Sequence, residues 1–297
     1  MKPDEPWPTA GVLLPATDYD LAATLDSGQA FRWQKQGDFR VGVVGHYQVR
    51  LRQAADGIWA ETNARIKDWD WILDYLQTDV DLETILETFP ADEPMKRAVA
   101  ACRGLRILRQ EPWECLASFI LSSTKQIVQI RQIVARLCSR YGEEILPGIP
   151  SEHSETNPGD LSRTFPTAEK IAGLTEKDLR DCGMGFRAPN LLAAAQQIAE
   201  RKLELDSLMD MSYQDARTEL MKLRGVGAKI ADCVLLFAYG FDSAFPVDVW
   251  VERALRTLYF PRRRIDEKKL LQFAATHFGP HAGYAQQYLF HYMRTCQ

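Results

Sequence analysis

From Gln29 to Thr62 apolar and polar positions alternate with a period of two: Tyr47, Val49 and Leu51 fall on one face, Gln48, Arg50 and Arg52 on the other. This alternation predicts half-buried strands, and the breaks at Gly37-Asp38 and Asp56-Gly57 supply turns for an antiparallel sheet. Beyond about Asp68 the period changes. DWDWILDYLQTD, LETILETF and EPMKRAVAACRGL return apolar residues every three to four positions, the spacing of one helix face. Glu111 to Tyr141 predicts one long amphipathic helix, or two, opening with a proline at a first-turn position. Trp69 and Trp71 are assigned to core packing. Residues 146–165, rich in Pro, Gly, Ser and Asn, predict a loop insertion; helices then resume and run to Met293. The fold class is therefore α+β. The boundaries expected are an N-terminal extension over residues 1–20, a sheet domain with linking helices over 21–110 and a helical body over 111–297.

Composition changes this picture only slightly. The chain of 297 residues carries a formal net charge of −4, which argues against a protein that coats nucleic acid by charge alone. A local basic face could still form from Lys96, Arg97, Arg103, Arg106 and Arg109, or from Arg262, Arg263, Arg264, Lys268 and Lys269; each cluster reads equally as a solvated surface. The cysteines Cys102, Cys115, Cys138, Cys182, Cys233 and Cys296 are scattered with no CxxC pair, as expected of buried thiols in a reducing compartment. The first residues lack an apolar signal region and no later stretch reaches membrane-spanning length, so the expectation is a soluble intracellular protein with no membrane partner.

The chemistry concentrates between Leu220 and Trp250. Two apolar helical segments flank a turn carrying Gly225 and Gly227, Lys229 sits in the first turn of the second helix, and Asp248 follows Pro246. Glycines let the backbone turn tightly and approach a ligand, and a helix start presents free N–H groups, so the turn suits a phosphate. A neutral lysine at that helix start is a nucleophile for an electrophilic carbon. Taken alone it reads as an ordinary solvated helix lysine. Asp248 reads either as an N-cap for the helix that begins near Trp250 or as a carboxylate that steadies positive charge in a transition state. Lys229 and Cys233 are four residues apart and share a helix face, a spacing that also permits an ammonium–thiolate pair.

This constellation resembles the helix-hairpin-helix base-excision glycosylases, and more narrowly the 8-oxoguanine DNA glycosylase family. The narrower likeness rests on LAATLDSGQAFRW, LRILRQEPWECLASFILSS, CGMGFRA, LRGVGAKIADC, FPVDV and GYAQQYLF, which stand in the family's order from about Leu21 onward. The resemblance implies a small antiparallel sheet domain packed on an all-helical helix-hairpin-helix body. It implies a monomer with no cofactor and no catalytic metal, acting on damaged double-stranded DNA wherever the cell keeps its DNA. The chemistry implied is lysine attack on the sugar, base release and β-elimination, with Lys229 as nucleophile and Asp248 as charge partner. The base pocket would comprise the Gly28 carbonyl, which reads N7–H of the oxidised base, Cys233 and Phe290, which sandwich it, and Gln286, which reads its pairing edge. Without the resemblance, Cys233 and Phe290 read as core. Gly225, Val226 and Gly227 would hold a phosphate through their amides, with a bound cation allowed there.

The chain departs from animal members in two places. Their asparagine run and cytosine-reading arginine are replaced by Thr124, Lys125, Gln126 and Gln129, while a second arginine, Arg187, and an aromatic wedge, Phe186, remain. Trp250 replaces a phosphate-contacting histidine, and an indole brings one donor and no charge. There is no four-cysteine cluster of the iron–sulfur branch. Two other readings stay open: a glycosylase of the same fold for another damaged base such as an alkylated purine, and a non-catalytic protein that anchors on DNA through the hairpin.

Overall fold

The computed structural model describes residues 11–64, 66–123, 125–145, 161–261 and 265–296. Thr124, the Arg262–Arg264 run and most of the expected loop insertion lie outside the described residues. Five strands form one antiparallel sheet in the order β1-β5-β4-β3-β2, with β1 at Val12–Pro15, β2 at Trp33–Gln36, β3 at Phe39–Val44, β4 at Tyr47–Ala54 and β5 at Gly57–Thr62. The alternation decides which face turns inward. Val49 and Leu51 are fully buried in a cluster with Ile72 and Leu76 of the Asp70–Leu76 helix, while Arg50 on the other face pairs with Glu61 across the ladder. Gln48 breaks the pattern: it is buried, and its Nε2 donates to the Leu161 carbonyl at 3.0 Å. Gly37 and Gly45 turn the hairpins with φ of +59° and +57°, angles that glycine adopts without steric cost.

One boundary moves. β1 falls within the stretch expected to be an extension, yet it pairs with β5 from Val12 opposite Ala60 to Pro15 opposite Gly57. Four residues are too few to show a period, so the strand left no trace in the pattern. Trp69 and Trp71 pack against the small core as expected, Trp71 stacking on Tyr47 with ring centroids 4.8 Å apart.

The helical body holds the larger core. The segment from Glu111 to Tyr141 forms two helices, Pro112–Ser122 and Ile127–Tyr141. Pro112 occupies the helix start, and the Glu111 side chain caps it by accepting from the Trp113 and Glu114 amides at 2.9 and 2.6 Å. Pro112–Ser122 is apolar on nearly all sides, so other elements surround it and its C-terminal end emerges inside the body.

The first expected basic face loses Arg106 to the interior, while Lys96, Arg97 and Arg103 stay exposed. Arg106 is only 1% exposed, and its guanidinium donates to the Asp18 carbonyl at 2.9 Å, Gly104 at 3.3 Å and Thr17 at 3.1 Å, joining the linker to the sheet domain. Arg103 is tied to Asp18 and Glu83. Five of the cysteines are buried and Cys296 is exposed. Among the described residues no helix is long and apolar enough to cross a membrane.

Candidate active site

The hairpin is built from the helices Tyr213–Met221 and Ala228–Val234, the second running on into a π-helical turn at Leu235–Tyr239. Gly225 takes φ of +81° in the turn, and an added Cβ there would stand 2.3 Å from Asn190 Nδ2. Only glycine fits at that site. Gly227 has nothing within 4 Å of where a Cβ would be, so its backbone is open to an approaching ligand. Val226 differs from the expectation. It is buried in the core and its N–H donates to the Leu223 carbonyl at 3.1 Å, which leaves Gly225 and Gly227 as the candidate phosphate donors. A buried carboxylate locks the two helices together: Asp232 accepts from Arg217 Nε at 2.6 Å and from Tyr213 Oη at 2.8 Å.

Beside the hairpin lies a cavity of about 380 Å³, within the range of small-molecule pockets, whose walls include Lys229, Cys233, Asp248, Gly28 and Phe290. Its floor is aromatic. Phe119 stacks on Phe237 with centroids 5.5 Å apart and meets Phe31 edge-on at 5.6 Å. Lys229 Nζ stands 5.4 Å from the Phe119 centroid and donates to Ser122 Oγ at 3.1 Å. The Ser122 hydroxyl donates its own proton to the Phe119 carbonyl at 2.7 Å, so a lone pair is left to face the amine. Ser122 stands in the FILSS motif, but its part in the site depends on a contact 107 residues away in the chain. Asp248 caps the helix Val249–Tyr259 by accepting from the Val251 amide at 2.8 Å, the first of its two sequence readings, and it also lines the cavity.

The ammonium–thiolate pair is not supported. Burial pushes the Cys233 thiol up to about 12, with Lys229 pulling it down and Asp248 and Asp232 pushing it further up. Desolvation outweighs the favourable charge, so Cys233 is a neutral, buried thiol.

Gly28 sits in the turn after the Leu21–Asp26 helix with φ of +82°; a Cβ there would meet Ile127 Cδ1 at 2.6 Å. Its neighbour Gln29 fixes that turn. The buried Gln29 amide donates to the Thr24 carbonyl at 2.9 Å and the Arg106 carbonyl at 2.8 Å, and accepts from Leu108 N at 2.8 Å. Gln110 Nε2 reaches the Gln29 carbonyl at 2.8 Å.

On the C-terminal helix Ala282–Thr295, the cavity is lined by Gln287, Phe290 and Arg294, a stripe at i, i+3 and i+7. Gln286, the expected reader of the pairing edge, is not on that wall. It is 4% exposed with its Oε1 unpartnered among the described residues, whereas Gln287 lines the cavity and donates to the Ser27 carbonyl at 3.1 Å. Around the helix the two glutamines stand about 40° and 60° to either side of Phe290, so both lie toward the cavity side and Gln287 is the one that reaches its wall. Arg294 was not singled out from the sequence at all.

The residues expected to face the opposite strand are arranged differently. Phe186 is 61% exposed, as a wedge requires, but Arg187 is buried beneath it at 2% and donates to the Ser123 and Met184 carbonyls. Gln129 is exposed, and its Oε1 accepts from the Gln126 amide at 3.1 Å, capping its own helix. Trp250 is 40% exposed at the cavity rim, with Lys125 and Val128 also on the wall.

Two family models match in tandem: the 8-oxoguanine DNA glycosylase N-terminal domain over residues 12–116 and the HhH-GPD superfamily base excision DNA repair protein over 117–280. The chain belongs to the 8-oxoguanine DNA glycosylase family. It is 32% identical to an N-glycosylase/DNA lyase of Saccharomyces cerevisiae, across 91% of this chain and 82% of that one. A probable N-glycosylase/DNA lyase of Methanothermobacter thermautotrophicus is 29% identical over 95% of both chains. The Clostridium acetobutylicum 8-oxoguanine glycosylase/lyase, solved with double-stranded DNA containing cytosine opposite 8-oxoguanine, superposes with a TM-score of 0.84 at 30% identity, covering 95% of this chain and 97% of that one. The cavity of this family member is therefore formed at the meeting of its two matched regions, Gly28 coming from the first and Lys229 from the second.

Proposed function

We propose that this protein is a bifunctional DNA glycosylase and AP lyase of base excision repair, and that its cavity receives an 8-oxoguanine flipped out of damaged double-stranded DNA. Flipping is required because the sugar carbon cannot be reached inside the stack. Lys229 attacks the anomeric carbon, the base departs, and the resulting Schiff base permits strand cleavage by β-elimination. Asp248, held by its cap to Val251, stabilises the oxocarbenium-like charge. The Gly28 carbonyl accepts from N7–H of the lesion; undamaged guanine presents a lone pair there, a buried mismatch of about 1 to 3 kcal/mol. Cys233 and Phe290 enclose the ring. The pairing edge is read by an amide of the C-terminal helix, with Gln287 on the wall and the buried Gln286 beside it. The Gly225 and Gly227 amides hold a phosphate beside the indole of Trp250, and Phe186 fills the space that the flipped nucleotide vacates. The protein is taken to act as a monomer on double-stranded DNA.

One observation carries the reading: Lys229 Nζ stands on an aromatic floor in the same cavity as Asp248, at the start of the hairpin's second helix. Borohydride trapping on an 8-oxoguanine duplex tests it. A covalent adduct is expected with the wild-type protein and is absent in Lys229→Gln. Trapping only on an alkylated-base duplex would instead support a glycosylase of the same fold for that lesion, and binding without trapping a non-catalytic DNA protein.

A further inference from the structure

Arg294 lies in the wall of the cavity, yet nothing in the scheme above uses it. It stands one helical turn beyond Phe290, with its guanidinium carbon 5.2 Å from that ring's centroid. Nη1 is buried and has no hydrogen-bond partner among the described residues. A methyl group placed on Gly28 would meet Nη1 at 3.3 Å and Phe290 Cε1 at 3.4 Å, so the donor, the turn and the ring converge on one end of the cavity. The phosphate-binding end is elsewhere: Gly225 packs on Asn190, and Gly227 has open space before it. Burial and the nearby Arg131 make this cation costly, and Asp248 offsets part of that cost. A buried, uncompensated donor on a guanidinium is expensive unless a ligand supplies the acceptor.

We propose that Arg294 donates a hydrogen bond from Nη1 to a carbonyl oxygen of the flipped base and holds the negative charge that the base carries as its glycosidic bond breaks. The inference rests on the function proposed above. During the step, the Nζ–C1′ bond forms while the C1′–N9 bond breaks. The electron pair leaves with the base and spreads onto its carbonyl oxygens, and the proton released by the attacking amine passes to the base. A fixed cation at one of those oxygens lowers the barrier to departure and does nothing for a sugar that has already lost its base. Guanidinium suits the task because it stays charged and offers a rigid fork.

The test separates base release from lyase chemistry. Single-turnover base release from an 8-oxoguanine duplex and borohydride trapping on a preformed abasic duplex are measured for wild type, Arg294→Met and Arg294→Lys. Arg294→Met is expected to slow base release about a hundredfold while abasic-site trapping stays within about twofold of wild type. Arg294→Lys keeps the charge but loses the fork, and is expected to release base about tenfold more slowly than wild type with unchanged trapping. Unchanged base release in both variants, or equal losses in release and trapping, would overturn the assignment. Should Arg294→Met fail to fold, as read from its melting temperature, the Arg294→Lys comparison decides alone. A wild-type protein that traps on abasic DNA but releases no 8-oxoguanine would defeat the substrate reading itself, an outcome distinct from variants that match an active wild type.

Discussion

The cavity wall proposed to hold the base and the face expected to meet the opposite strand are built on different terms. On the wall, each group is held in place by partners within the protein. Gln29 anchors the turn of Gly28, Ser122 and Phe119 seat the Lys229 amine, and the Val251 amide holds Asp248. On the face, the polar side chains spend their hydrogen bonds on the protein itself: Gln129 caps its own helix and Arg187 is buried under Phe186 against two carbonyls. The wall is preorganised for chemistry, whereas the face must exchange protein contacts for DNA contacts before it can read a base. The proposed enzyme is therefore exacting about the lesion and lenient about its partner.

The sharpest way to break this contrast is at the wall. Asp248→Asn keeps an acceptor for the cap but removes the charge, and is expected to slow base release by about 10² to 10³-fold with little change in melting temperature; a rate close to wild type would show that the carboxylate only caps. Gly28→Ala comes next. The residue's φ of +82° and the 2.6 Å approach to Ile127 make any side chain strained, so a loss of about 1 to 2 kcal/mol in unfolding free energy and weaker excision of 8-oxoguanine are expected from denaturation and single-turnover assays. On the face, Gln129→Arg supplies the donor fork that the glutamine lacks, and the preference for cytosine over adenine opposite the lesion is expected to rise severalfold, about one bidentate contact's worth. An unchanged ratio on matched duplexes would mean that partner choice lies elsewhere. The smallest effect is expected from Cys233→Ser. A thiol raised to about 12 stays protonated throughout the neutral range, so the pH profile of the variant should overlay that of wild type; a displaced limb would restore the thiolate.

The sequence made much of this arrangement legible. Glycine spacing marked the hairpin, helical periodicity placed Lys229 and Cys233 on one face, and the period-two stretch located four of the five strands. What escaped detection has a common physical cause. Ser122 and Arg294 join the site through contacts that span the fold, and no local pattern carries that information. The two adjacent glutamines show the limit in miniature: periodicity finds the helix but does not say which of Gln286 and Gln287, on either side of Phe290, reaches the cavity wall. The Val226 amide was misassigned because a turn spends some of its own donors in forming.

The Gln29 amide binds to Thr24, Arg106 and Leu108 together, and Gln287 of the C-terminal helix donates to the neighbouring Ser27 carbonyl, so the turn proposed to inspect the lesion is stitched into the seam between the sheet domain and the helical body. Lys229 depends on that seam less directly, since the partners of its amine, Ser122 and Phe119, both lie in the helical body. On the proposed roles, recognition therefore leans on the seam more heavily than cleavage does. Warming or a mutation that loosens the seam should first yield an enzyme that still cuts but has grown careless about what it cuts.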